Sequence, residues 1–554
     1  MSTDAADRFR LRPRYLAALV AVLLPVYFIC LGANTIWDAN EAFYVETPRQ
    51  MVETGDYVTP WFNGHERLNK PVLSYWVVAG LYQLFGVSVA VERVGIAIGA
   101  MGILVATLLV GRALHSTTVG LLAALAVASA PRVVMFARRI FIDIWITCFM
   151  ALTLACFVMA WRQLERRRAW LIAMYVAMGL GVLTKGPIAI FFPVVVGAIW
   201  MAVERRWADV RQLMLLPGAL IVLAIVAPWY VALYVEHGWG PILQFFVGEN
   251  IGRYTGEMPS EGRGVLFYLP VLFGDLFPWA PLLVVPIALA WRRVSTDERD
   301  DRAAIRRLLW IWIVTITAVF SFSQSKQDLY IFPVVPAVAA LVAEALLTYR
   351  SGRAARAIDA LIGIVAVLTV VLGAIAYRLF GSGYYALAGV GVLAAICTAG
   401  GAATLGTIVR RRRDAAVLLL AGTFVLFDYV FVARTLPSVE RFKPAEPLAA
   451  TILEQGGASG RVGAYEVFFP SIVYYLGRPV VELPDIDAAR AFFASDQPAW
   501  ALMRDGGYAE LSAAIDGLCV VERRPLLEAK ASDLLSGRPA ADVLLVSNRC
   551  AAAR

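Results

Sequence analysis

The sequence predicts an α-helical polytopic membrane protein that carries a soluble α/β domain at its C-terminal end. Three observations predict it. The chain of 554 residues is 60% hydrophobic with a mean hydropathy of +0.68, above the roughly 45–50% apolar content of soluble domains. Apolar runs long enough to cross a bilayer recur between Tyr15 and Tyr429, and such runs of ~18 or more residues read as membrane helices. From about Leu436 the pattern changes to short apolar stretches broken by polar and charged residues.

The first run, Tyr15 to Ala33, has no small-residue cleavage site after it and reads as a retained span. Arg8, Arg10, Arg12 and Arg14 precede it, which places the N-terminus in the cytoplasm by the positive-inside bias. The other Arg-rich connections are "RQLERRR" (162–168), "ERRWADVR" (204–211), "WRRVSTDERDDRAAIRR" (291–307), "YRSGRAAR" (349–356) and "RRRRD" (410–414). All belong on the same side. The apolar stretch 71–86 is short, and if it spanned, every later basic loop would fall outside. It is therefore expected to lie in the outer interface, which suits its aromatic content.

The spans are then about 15–33, 93–111, 117–135, 143–161, 170–184, 188–203, 213–235, 266–290, 306–322, 328–347, 357–378, 384–409 and 415–434, roughly thirteen of them. An odd number puts the C-terminus outside. The net charge of +8 records this topology and not a nucleic-acid partner. The chain has no P-loop, no zinc-finger spacing and no Gly-rich strand-to-helix turn, so it carries no sign of a nucleotide site.

Residues 1–435 form the expected membrane domain, with juxtamembrane helices in 38–92 and a long outer loop at 236–265. Residues 436–554 form the expected outer domain. There "RVGAYEVFF", "RPVVEL", "AWALMR", "LCVVERR" and "DVLLVSN" read as strands, and "PAEPLAATILEQ", "DIDAARAFFAS" and "YAELSAAI" as helices between them. Alternation of this kind argues a small α/β domain, a lid or acceptor platform. Cys30, Cys148, Cys156 and Cys397 lie in apolar runs as packing residues. Cys519 and Cys550 lie in the polar region and can pair in an oxidising compartment.

The outer connections collect the chemistry. They hold Asp38, Glu41, His65, Lys70, Arg138, Arg139, Lys185, Glu249, Arg253, Arg263 and Lys326, with Asp143 and Tyr330 just inside adjoining spans. Cations outside run against the topology bias, and an ionisable residue near a span is a functional hypothesis. Arg and Lys can hold phosphate oxygens. Carboxylates can act as a base, bind a cationic group or join a metal site. The combination suits phosphate-linked substrate chemistry.

Each residue has a plainer reading. Asp38 and Glu41 also form a D-x-x-E helix start, with Asp38 as cap. Lys70 before Pro71 can snorkel to the interface. Arg138 and Arg139 can neutralise Asp143 at a helix start. "LTKGP" (183–187) is also an ordinary turn into a Pro-led helix, and His65 a loop residue. Glu249 and Arg253 are four apart and share a face if their segment is helical, as an ion pair.

Together these residues resemble a known family. The acidic stretch after span one, "GDYVTPWFNGHERLNKPVLSYW" (55–76), the Asp143 span head, "LTKGP", and "SKQDLYIFPVVPAVA" (325–339) look like the GT-C glycosyltransferases of the protein mannosyltransferase superfamily, and within it the lipid A aminoarabinose transferases. The resemblance covers most of residues 15–345; the C-terminal spans and outer domain match in layout only. It implies a multi-pass protein of the bacterial inner membrane, working as a monomer among membrane lipids on the periplasmic face. The implied donor is a sugar, 4-amino-4-deoxy-L-arabinose, on undecaprenyl phosphate; the implied acceptor is a lipid A phosphate.

By the same resemblance Lys70 matches the lysine of an "EKP" turn and Asp143 the later carboxylate. With Glu41 they form the expected catalytic set. Arg253, Lys326, Tyr330 and Lys185 are expected on the donor phosphate, and Arg138 and Arg139 on the acceptor. Asp38 and Asn40 cap the helix or position substrate. The family's Asp-Glu reads Asn40-Glu41 here, and "EKP" reads Asn69-Lys70-Pro71. No cofactor is expected for the chemistry; a divalent ion held by His65 and Glu41 would be structural. The rivals are a mannosyl or hexosyl transfer to protein or glycan hydroxyls, and a lipid-linked sugar flippase. A flippase calls for charged span centres and repeated halves, and neither stands out.

Overall fold

The computed structural model describes residues 12–37, 40–139, 142–255, 262–292, 301–348, 352–455, 460–526, 534–535, 537 and 541–549, with the backbone alone at 40, 250, 251, 253, 289–292, 348, 352 and 353.

The chain opens with α1 (Pro13–Leu23), a proline-led helix continued by a 3-10 turn, Leu24–Tyr27. Next come α2 (Asn40–Thr54), the hairpin strands β1 (Trp61–Phe62) and β2 (His65–Glu66), and α3 (Leu73–Phe85). The long helix α4 (Val89–Leu114) is capped by Ser88, and α5 (Thr117–Ala128) by Ser116. Each serine side chain accepts from a backbone N–H three residues on and satisfies one donor the helix start leaves open. The two helices cross in close contact. A Cβ on Gly111 would lie 2.8 Å from the Gly120 Cα, so only glycine permits the approach.

The expected span 117–135 is broken. Ala130 is extended (φ −86°, ψ 116°) and Pro131 starts α6 (Pro131–Phe136), because a residue before proline avoids the helical region. There follow α7 (Ile142–Arg162), α8 (Arg167–Lys185), α9 (Ile188–Val203), α10 (Leu215–His237), α11 (Gly240–Leu243), a π-helical segment Gln244–Gly252, and α12 (Arg253–Thr255). Then come α13 (Tyr268–Asp275), α14 (Val284–Arg292), α15 (Asp301–Phe322), a 3-10 turn Asp328–Val334, α16 (Val335–Thr348), α17 (Gly352–Phe380), α18 (Val390–Val409) and α19 (Arg413–Val430).

A helix thus falls on each expected span, but the lengths differ. Among the described residues eight helices are long and apolar enough to cross a membrane, or nine if the pair Val265–Asp275 and Ala280–Ala288, bent by 115°, counts as one. Pro13–Tyr27, Thr117–Ala128 and Ile188–Val203 are apolar but shorter. The protein is a multi-pass membrane protein. Helix α3, with 13 residues, belongs to the same group of shorter apolar helices and exposes Leu84 and Phe85 at its end.

The C-terminal region holds α20 (Ala445–Glu454), β3 (Arg461–Tyr465), α21 (Pro470–Leu476), β4 (Val481–Leu483), α22 (Ile486–Phe493), β5 (Ala499–Arg504), α23 (Asp505–Ala514), β6 (Cys519–Pro525) and β7 (Asp542–Ser547). All five expected strands are present, and α21 is an addition. The sheet order is β4-β3-β5-β7-β6, with β4, β3 and β5 parallel and β7 antiparallel to both its neighbours. A parallel core needs cover on both faces. Trp500, Leu502 and Leu545 pack against Leu448, Ile452 and Ile472 on one face; Ala501, Met503 and Val546 pack against Phe492 and Leu511 on the other. Cys519 is disulfide-bonded, and Cys550 lies outside the described residues.

This region is fastened to the membrane part at residues 34–36 and 63. Asn34 Nδ2 donates to Leu436 O and to Glu440 Oε1, both at 2.8 Å. Lys443 Nζ donates to Thr35 O at 2.6 Å, and the Tyr475 hydroxyl accepts from Ile36 N at 2.9 Å. Asn63 exchanges two hydrogen bonds with the Val480 backbone, at 3.0 and 2.7 Å. Phe62 of β1 joins the same apolar cluster as α20 and α21.

Candidate active site

A cavity of about 680 Å³ lies where α2, the segment 67–70, the α6–α7 turn, the end of α8, the π-helical segment and residues 323–330 meet. Nearly every segment on its wall belongs to a connection expected on the outer face. Among the described residues six cations line it (Arg67, Lys70, Arg132, Arg139, Lys185 and Arg263) against three carboxylates (Asp143, Glu249 and Asp328).

The wall is built as ion pairs between distant segments. Asp143 stands in the first turn of α7 and Lys185 at the last residue of α8. Each charge suits the dipole of the helix end that carries it. The helices are antiparallel neighbours, so the two ends meet and Lys185 Nζ donates to Asp143 Oδ1. Gly186 lets the chain leave α8 at that point. Its φ is +81°, and a Cβ there would come within 2.5 Å of the Phe245 ring, another wall residue. Lys185 also stands 5.0 Å from the centre of the Tyr330 ring.

Lys70 Nζ lies 2.8 Å from Glu249 Oε2. Glu249 thus has a partner from a remote segment that spacing did not suggest. A π-helical path changes the side-chain spacing that an α-helix would give, and the Arg253 side chain lies outside the described residues. Arg132 Nε is 2.6 Å from Asp275 Oδ1, and its guanidinium also meets Asp328. Arg67 donates to the Tyr75 hydroxyl at 2.7 Å and to Asn69 Oδ1 at 3.1 Å. Arg139 has its guanidinium 4.5 Å from the centre of the Trp37 ring. Burial holds it below the ordinary arginine range, with Glu41 opposing.

Below this charged end the wall is apolar. Ile142, Ile146 and Met150 are spaced i, i+4, i+8 down α7, and Ile188 and Phe192 are spaced i, i+4 on α9. Such spacing sets side chains one above another on a single helix face. The result is a polar head with an apolar stripe running along the helices.

Several expected site residues fall elsewhere. Glu41 does not line the cavity. Its side chain is 1% exposed and pairs with Arg93 at 3.3 Å, and it accepts from Trp37 N ahead of its own helix. Arg138 is buried and donates to Val26 O at 2.7 Å. Lys326 turns its Nζ to Ser323 O, and its carbonyl accepts from Arg263 at 3.1 Å. His65 is exposed on β2. Among the described residues no group of three or more His, Cys, Asp and Glu side chains is placed to hold a metal ion. Asp38 and the Asn40 side chain lie outside the described residues.

Arg67, Arg132 and Asp328 were missed. Arg132 sits inside an expected span, and a charge beside Pro131 within an apolar run was the available signal. Arg67 and Asp328 flank residues already singled out.

Comparison with known proteins follows the same lines. The family model of dolichyl-phosphate-mannose-protein mannosyltransferases matches residues 14–238. Over the whole length, the crystal structure of ArnT from Cupriavidus metallidurans bound to undecaprenyl phosphate superposes with a TM-score of 0.79, covering 98% of this chain and 99% of that one at 23% identity. The apo form of the same ArnT matches this chain with the same TM-score of 0.79 at 24% identity, so the two share a fold. A relative from Pseudomonas savastanoi pv. phaseolicola, an undecaprenyl phosphate-alpha-4-amino-4-deoxy-L-arabinose arabinosyl transferase, is 31% identical over 338 residues. That match covers 60% of this chain and 61% of the relative, so the chain spans about three fifths of the length of that curated relative.

Proposed function

We propose that this protein is a GT-C glycosyltransferase that transfers a sugar, 4-amino-4-deoxy-L-arabinose, from undecaprenyl phosphate to a phosphate of lipid A. The observation that carries the reading is the amphipathic cavity, with cations in excess at one end and an apolar stripe down α7 and α9. A phosphate head fits the first and a polyprenyl chain the second. The Pseudomonas relatives and the C. metallidurans ArnT support the choice of sugar and carrier.

The reaction follows from the charges. An acceptor phosphate oxygen attacks the anomeric carbon of the donor. The bond from that carbon to the undecaprenyl phosphate oxygen breaks, and the electron pair stays on the leaving phosphate. Lys70 and Lys185 stand on the wall to receive that developing charge, a role often worth more than any other catalytic term. Tyr330 lies beside Lys185 with its hydroxyl available as a donor. An anionic acceptor needs no base, so Asp143 acts by holding Lys185. Arg67, Arg139 and Arg263 offset the repulsion between the two phosphates. The scheme assigns charge stabilisation to these side chains without a metal, and it needs one chain.

In this reading the N-terminus is cytoplasmic and the cavity and the C-terminal region face the periplasm; the positive-inside bias of the basic connections supports that orientation. The mannosyltransferase family match favours a second reading, hexose transfer to a hydroxyl, for which Asp143 would be the base. Mass spectrometry of lipid A from cells with and without the protein, donor lipid being present, separates the two. An added aminopentose is expected; its absence would sink the first reading.

A further inference from the structure

Arg132 is the one wall cation among the described residues with no part in the proposed reaction. It is held by two carboxylates at once. Its Nε lies 2.6 Å from Asp275 Oδ1, and its guanidinium also meets Asp328. The two partners differ in setting. The Asp275 side chain is 1% exposed and does not line the cavity, whereas the Asp328 side chain is 44% exposed and does.

The Asp275 side is firmly built. Asp275 ends α13, where the chain bends by 115° before Ala280–Ala288. Trp279, buried in that bend, donates from Nε1 to Ser129 Oγ at 3.0 Å. Ser129 stands at the break between α5 and α6, just before Ala130 and Pro131. Two broken helices are thus joined twice, by Trp279 to Ser129 and by Arg132 to Asp275. The Arg132 guanidinium also lies 4.9 Å from the centre of the Phe136 ring in α6.

Asp328 is held less firmly. It opens the 3-10 turn Asp328–Val334, and its Oδ1 accepts from Leu329 N at 3.1 Å. An ion pair open to solvent contributes little, whereas breaking a buried one leaves a charge without compensation. A phosphate entering the cavity therefore competes with Asp328 for the guanidinium and leaves Asp275 in place. A phosphate monoester brings more charge than a carboxylate, and three acceptor oxygens, to the arginine fork.

We infer that Arg132 binds the phosphate of an amphiphilic substrate, with Asp275 as the anchor that positions its guanidinium and Asp328 as an internal stand-in that the phosphate displaces. The inference rests on the proposed function. The phosphate comes from one of two sources, the polyprenyl donor or the lipid A acceptor, and the test keeps them apart.

The experiment uses the full chain in phosphatidylcholine nanodiscs, with binding of undecaprenyl phosphate and of lipid A measured separately. Asp328→Asn is expected to tighten one of the two ligands by roughly two- to fivefold, the span of a solvent-open ion pair. Arg132→Gln is expected to weaken the same ligand by about tenfold or more, as the loss of charge-assisted hydrogen bonds does. In the Arg132→Gln background Asp328→Asn adds nothing, because its effect passes through Arg132. Arg132→Gln leaves Asp275 buried without its cation, so the cycle is repeated on Arg132→Gln/Asp275→Asn, which removes both charges; the Asp328→Asn gain is absent there too. Asp275→Asn weakens the same ligand when Arg132 is present and has no effect in the Arg132→Gln background, where a purely structural role would persist.

An Asp328→Asn gain that survives without Arg132 would act through Arg139, which also feels Asp328, and would overturn the inference. So would weaker or unchanged binding in Asp328→Asn, an equal gain for both ligands, or tighter binding in Asp275→Asn. Each of these leaves the transferase reading standing. Wild-type protein that binds neither ligand would overturn both.

Discussion

Lys70 and Glu249 meet at 2.8 Å although 179 residues separate them. The pair joins the segment before α3 to the π-helical segment, and both residues face the cavity. The cation proposed to receive the leaving phosphate is thus partly neutralised by Glu249. Lys70→Met is expected to slow transfer by about 10²–10³, the cost of removing one preorganised charge-stabilising donor. Glu249→Gln is expected to tighten undecaprenyl phosphate several-fold, since it removes the competing carboxylate. Single-turnover transfer and equilibrium binding check the two; a Lys70→Met rate within about twofold of wild type would remove Lys70 from the chemistry.

The burial of Glu41 makes a separate claim. Glu41 and Arg93 are 1% and 3% exposed, and removing one partner of a buried pair leaves the other charge uncompensated. Glu41→Gln is expected to cost about 3–5 kcal/mol of stability. The three carbonyls that Arg93 also reaches pull the cost toward the lower end. Thermal unfolding in detergent reads this directly. A variant that melts like wild type yet transfers no sugar would instead place Glu41 in the reaction.

The fastening at residues 34–36 carries a pH signature. Burial pushes the Glu440 carboxyl up, but Lys443 and the hydrogen bonds from Thr35 and Asn34 outweigh it and hold the group below the usual glutamate range. A carboxyl whose folded pKa lies below its unfolded value stabilises the fold above the unfolded pKa. That contribution is lost as pH falls from about 4.3 through the lower folded value. Wild type should therefore out-melt Glu440→Gln at neutral pH, and the gap should close on acidification below about 4. A gap that is constant with pH would show that the carboxylate charge is not what holds the contact.

Much of this was legible in the sequence, for identifiable reasons. Apolar runs located a helix at each expected span, because in a bilayer the backbone must satisfy itself and helix is the local way to do so. The strands of the C-terminal region were legible from their short apolar stretches. What pattern cannot carry is pairing at a distance. Spacing offered Glu249 the nearby Arg253, whose side chain lies outside the described residues; that Lys70, 179 positions away, also meets Glu249 could not be read from spacing. Arg138 and Arg139 are neighbours in sequence, yet a tight turn sends one to a buried carbonyl and the other to the cavity wall. Arg132 was hidden inside an apolar run until Pro131 broke that run. Glu41 and Asp143 looked alike as carboxylates at helix starts; only packing tells that Arg93 closes over the first while the second faces a cavity.

Asp143 offers the sharpest choice between acceptors. Its carboxylate holds Lys185, and both groups line the wall. With a phosphate acceptor the attacking oxygen is already anionic, and Asp143 acts only through Lys185. Asp143→Asn should then leave Lys185 less well placed and lower kcat by about tenfold, while the more cationic wall binds phosphate more tightly. With a hydroxyl acceptor the same carboxylate must take a proton, and its loss should cost about 10²–10⁴ in kcat. Asp143→Glu separates the cases again: a longer side chain keeps a base but moves Lys185. Measured with lipid A as acceptor, a fall in kcat beyond about a hundredfold for Asp143→Asn with unchanged phosphate binding would make Asp143 a base. It would thereby move the acceptor assignment from a phosphate to a hydroxyl.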